Sequence, residues 1–221
     1  MERIRGVAFD MDGLLFDTER LAVEGWIRTG EKLGIPIRED AALMTLGLNR
    51  DDTRRVFESL YGTGHDYDLI RAERLRYTEE KIRREGVPVK KGVRELLDYL
   101  DGNGIPYTLA TSTDRGRAGR FLDGAGLSGR FRLRVCGDMV PRGKPEPDIY
   151  LAAAGLLGLP PEQTLALEDA PLGVEAAWRA GMPVVMVPDL VPADPVTAER
   201  ALLVAESLEE VIPLLRDGNR R

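Results

Sequence analysis

Hydrophobic positions along this chain fall into two rhythms. The first is a set of short, nearly unbroken apolar runs set far apart: Ile4–Phe9, Ile105–Ala110, Leu133–Cys136, Leu165–Leu167 and Pro183–Val187, with Leu202–Ala205 as a sixth. Runs without polar alternation suit strands covered on both faces, as in a parallel sheet. The second rhythm is helical and fills the gaps between the later runs. Its segments are Val93–Leu100, Arg117–Leu122, Ile149–Leu156 and Val174–Ala180, followed by Gly102, Gly124, Gly158 and Gly181 as helix stops. Alternating strand and helix predict an α/β fold, a doubly wound parallel-sheet core of Rossmann-like type.

The first strand breaks the alternation. After it the chain shows only helical periodicity, in pieces at 19–33, 39–46, 50–61 and 66–85. The last piece predicts an amphipathic helix with an imperfect apolar face through Leu69, Ala72, Leu75, Tyr77 and Ile82. An all-helical block between the first and second strands reads as an inserted cap domain, residues 17–85. Residues 1–16 and 86–221 then form the core, with crossings near Phe16-Asp17-Thr18 and Gly86-Val87-Pro88. The sequence contains no internal repeat and no low-complexity segment.

Composition narrows the function classes. The 221 residues suffice for one sizeable core plus a small insertion. The net charge of −6, from 31 basic and 37 acidic residues, gives no basic surface for nucleic acid. The basic run Arg71 to Arg84 is interleaved with Glu and reads as a solvated helix face. Cys136 is the one cysteine, so no internal disulfide can form and a reducing cytoplasmic setting is expected. The N-terminus lacks a signal-peptide pattern, and no apolar run approaches the roughly 20 residues that span a bilayer. His65 reads as a solvated residue of a polar loop, Cys136 as a buried inert thiol, and Trp26 and Trp178 as packing residues.

Candidate chemistry follows from one topological rule. In a doubly wound sheet the strand C-termini share an edge, and ligands bind there. After the first strand come Asp10, Asp12 and Gly13. After the second come Thr111, Ser112 and Thr113. A loop after the third carries Lys144, and the fourth ends in Glu168 and Asp169. Crowded carboxylates repel one another, and a divalent cation relieves that repulsion. Carboxylate and carbonyl oxygens are what Mg²⁺ prefers. Hydroxyls and backbone N–H groups at strand-to-helix turns suit phosphate, and a lysine suits it as a point charge. Together these groups point to phosphoryl transfer through an aspartyl-phosphate.

The four segments in their order are Asp10-Met11-Asp12-Gly13-Leu14-Leu15-Phe16-Asp17-Thr18, Leu109-Ala110-Thr111-Ser112-Thr113, Gly143-Lys144-Pro145-Glu146-Pro147-Asp148 and Leu167-Glu168-Asp169-Ala170. In these, and over nearly its whole length, the chain resembles the haloacid dehalogenase superfamily, specifically its β-phosphoglucomutase-like phosphatases with a helical cap. The resemblance implies Asp10 as nucleophile and Asp12 as general acid and base. It implies Mg²⁺ held by Asp10, the backbone carbonyl of Asp12 and Asp169, with Glu168 beside them as a ligand or a supporting group. Thr111 and Ser112, with Thr113 in the same cluster, would bind phosphate, and Lys144 would partner both Asp10 and the transferring phosphate.

Substrate choice belongs to the cap, because the core sees mainly the phosphate. The residues expected to face the substrate are Phe16, Thr18, Glu19, Ala22 and Gly47-Leu48-Asn49-Arg50. In the hexose-phosphate mutases of this group a cap arginine holds a second, non-transferring phosphate. Arg50 either fills that position or is a surface residue at a helix start. Those mutases also carry a histidine shortly after the Asp-Thr pair, where this chain has Ala22. That departure favours hydrolysis of a small phosphorylated metabolite, a sugar phosphate or nucleotide-like monoester. A sugar phosphomutase is the alternative, and a non-catalytic binding protein is disfavoured by the intact set Asp10, Asp12, Lys144 and Asp169. A monomer or weak homodimer, without nucleic-acid or membrane partners, is expected.

Overall fold

The computed structural model describes residues 3–218. Residues 1, 2 and 219–221, which the sequence reading assigns to the core, lie outside the described residues. Six strands form one parallel sheet: β1 (Gly6–Phe9), β2 (Tyr107–Thr111), β3 (Arg134–Cys136), β4 (Thr164–Glu168), β5 (Val184–Met186) and β6 (Leu203–Val204). Their order is β3-β2-β1-β4-β5-β6. The chain therefore winds outward from β1 in one direction, then crosses back to β4 and winds outward in the other. The expected sixth strand is present, and the fold is the doubly wound α/β class.

The two faces of the sheet differ in side-chain size, and this sets how closely helices can pack. Val7, Phe9, Leu109, Leu165, Leu167 and Val185 point to one face. There they pack on α5 (Val93–Gly102), α6 (Arg115–Gly124) and α10 (Val211–Gly218). Ala8, Ala110, Ala166 and Val184 point to the other, against the alanine-rich sides of α7 (Asp148–Leu157) and α8 (Pro171–Arg179). Each larger side chain buried in this way contributes roughly 1.5–3 kcal/mol. A short helix, α9 (Pro195–Arg200), precedes β6. No helix among the described residues is long and apolar enough to cross a membrane.

Between β1 and α5 lie α1 (Thr18–Leu33), α2 (Glu39–Leu43), α3 (Arg50–Tyr61) and α4 (Tyr67–Glu85). They enclose their own apolar cluster, with Val23, Trp26, Phe57, Tyr67 and Ile70 at its centre. Two connections join this helical block to the sheet, and they run antiparallel. Phe16 bridges Val89, the Asp17 N–H donates to the Pro88 carbonyl at 2.9 Å, and the Lys90 N–H donates to the Leu15 carbonyl at 2.9 Å.

Four expectations need correction. Gly102 and Gly124 are the last residues of α5 and α6 rather than their stops, because the left-handed turns come two residues later, at Gly104 and Gly126. Trp178 is 50% exposed and stacks under the Arg200 guanidinium instead of packing in the core. On α4 the expected apolar face holds only in part: Ile82 packs against the core, but Leu69 is 51% exposed, whereas Tyr67, Ile70 and Thr78 are buried. Nor is the Arg71 to Arg84 run uniformly solvated. Arg76 and Arg84 make exposed ion pairs, but Arg74 turns inward and its Nε is sealed from solvent. The reason is spacing: Tyr67, Arg71, Arg74 and Thr78 share one helical face, and that face looks into the molecule.

Candidate active site

The winding reverses between β1 and β4, and the crevice beyond their C-terminal ends is where such sheets bind ligands. Register delivers the predicted residues there. Phe9 pairs with Leu167, so Asp10 and Asp12 emerge beside Glu168 and Asp169. The Asp10 N–H donates to the Leu167 carbonyl at 3.0 Å, fixing the tip of β1. Thr111 ends β2 on the other flank, and Lys144 comes from the loop before α7.

Lys144 is the pivot of the cluster. Its Nζ lies 2.5 Å from Asp10 Oδ1 and 2.6 Å from Glu168 Oε1, and all three residues are buried. Burial alone would lower the lysine, but the two carboxylates raise it above its ordinary range, so the ammonium stays charged. The Tyr150 hydroxyl donates to the same Glu168 oxygen, and the ammonium stands 5.3 Å over the Tyr150 ring. The sequence reading missed Tyr150; its position inside α7, six residues after Lys144, shows it as a core residue only.

One lysine does not neutralise this much acid. Burial, with repulsion from Glu168, raises Asp10 to about 7 despite Lys144. Burial raises Glu19 to about 8, and Asp169 is pushed well above the carboxylate range by burial and then by Glu19 and Asp10. Carboxylate oxygens of Asp10, Glu168 and Asp169 lie within 4.8 Å of one another, and Asp169 Oδ2 is buried without a hydrogen-bond partner. Gly13 leaves that oxygen its room. A Cβ there would stand 2.1 Å from Asp169 Oδ2, and φ of +85° is itself a glycine conformation. A hard divalent cation with oxygen ligands fits this donor set.

The hydroxyl cluster divides into three tasks. Thr18 Oγ1 donates to Asp12 Oδ1 at 2.5 Å and Thr113 Oγ1 to Asp12 Oδ2 at 2.7 Å, so both oxygens of Asp12 are held. Thr111 Oγ1 accepts the Thr113 N–H at 3.1 Å, which leaves its own proton to donate to a ligand. Ser112 Oγ reaches the helical block and donates to the Gly47 carbonyl at 3.2 Å.

These groups open on a cleft of about 900 Å³ between the sheet edge and the helical block. Ala22 and Asn49 line its helical wall, while Glu19 lies deep against Asp169. Phe16 is fully buried in the core beneath the crossing. Gly143 brings the Lys144 loop against Asn49; an added Cβ would meet Asn49 Nδ2 at 2.5 Å. Arg50 sits at the rim, its side chain 54% exposed and paired with Asp68 at 2.7 Å. Arg71, Arg74 and Arg117 also line the cleft, and the sequence reading did not single them out as site residues.

Comparison with known proteins gives the family. The family model described as haloacid dehalogenase-like hydrolase matches residues 7–187. A phosphorylated carbohydrates phosphatase of Thermotoga maritima is 37% identical over 182 residues, covering 81% of this chain and 82% of that protein. A probable pseudouridine-5′-phosphatase of Drosophila melanogaster is 34% identical, covering 86% and 84%. The crystal structure of a β-phosphoglucomutase from Clostridium difficile shares the fold with a TM-score of 0.83 at 23% identity, covering 98% of this chain and 97% of that one. On its motifs, its topology and these matches, the chain is an enzyme of the haloacid dehalogenase-like hydrolase family.

Proposed function

We propose that this protein is a Mg²⁺-dependent phosphatase that hydrolyses a small organic phosphate monoester through an aspartyl-phosphate on Asp10. Residues 17–85 are taken as its cap and the rest as its catalytic core. The observation that carries this reading is the buried cluster in which Lys144 bridges Asp10 and Glu168 while Asp169 keeps an unpartnered oxygen. Asp10, the Asp12 carbonyl and Asp169, with Glu168 as ligand or support, would hold Mg²⁺; when bound it supplies positive charge for the carboxylates and the phosphate oxygens.

The chain's own residues divide the reaction between them. Thr111 and the backbone at the β2 turn bind the phosphate, with Lys144 as a fixed cation beside it. A carboxylate oxygen of Asp10 forms the new bond to phosphorus as the bond to the leaving oxygen breaks. Asp12, held between Thr18 and Thr113, gives its proton to that leaving oxygen. It then takes a proton from water, whose oxygen attacks phosphorus and releases Asp10. Thr18 belongs to the first turn of α1, so the orientation of Asp12 depends on a residue at the start of the cap.

Hydrolysis is favoured over phosphomutase action by Ala22, which lines the cleft where the mutases carry a histidine. The names of the relatives, a carbohydrate-phosphate phosphatase and a pseudouridine phosphatase, support a small phosphorylated metabolite as substrate. The test is phosphate release from p-nitrophenyl phosphate. Release should require Mg²⁺, stop on addition of EDTA, and be abolished in Asp10→Asn. Full activity in that variant would overturn the nucleophile assignment.

A further inference from the structure

Two guanidinium groups in the cleft wall have a buried nitrogen without a hydrogen-bond partner. Arg74 projects from α4 and Arg117 from α6, so they approach from the cap and the core respectively. Both line the cleft. Arg117 is 9% exposed, and the Nε atoms of both arginines are buried without a hydrogen-bond partner. Among the described residues no carboxylate lies within ion-pair distance of either one. Arg71, one turn before Arg74, adds a third positive charge to the same wall.

Burying a cation without a counter-ion is costly, so its persistence needs a reason. The nearby acids do not supply one. Asp12 is occupied by Thr18 and Thr113, Glu79 pairs with Arg120 at 2.7 Å, and Asp114 caps α6 by accepting the Arg117 N–H. The arginines are also close enough to oppose each other: burial and then the charge of Arg117 lower Arg74 to about 9, and burial lowers Arg117. Each is nevertheless held in place by an aromatic face. Arg74 stands 4.9 Å over the Trp26 ring and Arg117 4.9 Å over the Phe121 ring. Stacked, oriented guanidiniums with unused donors are suited to gripping an oxyanion.

We propose that Arg74 and Arg117, supported by Arg71, form an anion subsite separate from the Asp10–Lys144 centre, and that the preferred substrate carries a second anionic group, a carboxylate or a second phosphate, which docks there. This deepens the phosphatase reading and rests on it for the word substrate. It moves the recognition of a second charge away from Arg50, which spends its guanidinium on Asp68 at the rim. It also gives α4 a reason to turn a basic face inward. Because the two arginines belong to different halves of the cleft, an anion between them would draw the cap towards the core.

The test measures binding without catalysis. In the Asp10→Asn protein, calorimetry compares fructose 1,6-bisphosphate and 6-phosphogluconate with fructose 6-phosphate and glucose 6-phosphate. At least one doubly anionic ligand should bind about tenfold to a hundredfold more tightly than its singly phosphorylated counterpart, the range expected for charge-assisted hydrogen bonds. The bisphosphate alone gaining would identify phosphate as the second group, and the sugar acid alone would identify carboxylate. Adding Arg74→Gln or Arg117→Gln should reduce that ratio to within about threefold of one, and Arg74→Lys should restore only part of it. Each glutamine removes a largely enclosed, unpaired charge together with its aromatic stack, so melting temperatures without ligand should change little. Equal affinities in the parent, a preference that survives both glutamine variants, or a fall in stability with equal loss for all ligands would overturn the subsite. Failure of the parent chain to hydrolyse p-nitrophenyl phosphate with Mg²⁺ would instead overturn the phosphatase reading, and the binding ratios are read independently of it.

Discussion

Replacing Lys144 with methionine removes one buried ammonium and keeps most of the side-chain volume. Lys144 is 3% exposed and lies 2.5 Å from Asp10 and 2.6 Å from Glu168, so the substitution leaves two buried carboxylates facing each other without their cation. Removing one partner from a buried ionic cluster costs about 3–5 kcal/mol. For a chain of this size each kcal/mol lowers the melting temperature by about 2–4 °C, so a fall of roughly 6–20 °C is expected near pH 8 in EDTA. The effect also has a sign in pH. Burial already holds Asp10 at about 7, far above its ordinary 3.8. A group whose pKa is raised by folding stabilises the fold at acid pH, and that contribution is lost as pH rises through the folded value. Without Lys144 the Asp10 value rises further, so at about pH 5 protonation relieves the variant. The deficit there should be less than half of that near pH 8. Thermal melts of both proteins across this range provide the assay. Equal melting temperatures near pH 8, or a deficit as large near pH 5, would refute the reasoning.

Other outcomes follow from single contacts. Gly13→Ala forces a Cβ to within 2.1 Å of Asp169 Oδ2 at a φ of +85°. Strain of about 1–3 kcal/mol should lower the melting temperature by roughly 2–12 °C. The Mg²⁺ concentration for half-maximal p-nitrophenyl phosphate hydrolysis should rise about tenfold or more as Asp169 is displaced; an unchanged Mg²⁺ requirement would count against Asp169 as a ligand. Thr113→Val removes one of the two hydroxyls that hold Asp12, and kcat should fall about tenfold with little change in KM. A change confined to KM would place Thr113 on the phosphate instead.

What the sequence made legible was set by local physics. The sheet could be read because its central strands are covered on both faces and lack an alternation of apolar and polar positions. The four site segments could be read because each follows a strand at the edge where a doubly wound sheet gathers its ligands. The orientation of α4 could not. Its inward face carries arginines and a threonine beside few apolar residues, so hydrophobic periodicity points to Leu69 and Ala72, which are exposed. The division of tasks among Thr111, Ser112 and Thr113 was also hidden. The bond from Thr113 to Asp12 spans 101 positions, and that from Lys144 to Asp10 spans 134. Adjacent hydroxyls look interchangeable until the fold aims each at a different acceptor. Arg50 and Arg74 pose the same problem, since only the fold shows which of them has a carboxylate at hand.

The placement of β1 has a consequence for how the chain reaches its native state. β1 is the first strand made, yet its neighbours are β2 and β4, with Gly6 opposite Thr164. During synthesis the centre of the sheet cannot close until residues up to about Glu168 have been made. The helices α1 to α4, by contrast, form a contiguous segment with an apolar cluster of its own. Local contacts form before distant ones, because closing a long loop costs entropy that is recovered only on pairing. The helical block is therefore expected to condense first, while β1, whose C-terminal tip leads into Asp10 and Asp12, waits unpaired at its N-terminal side.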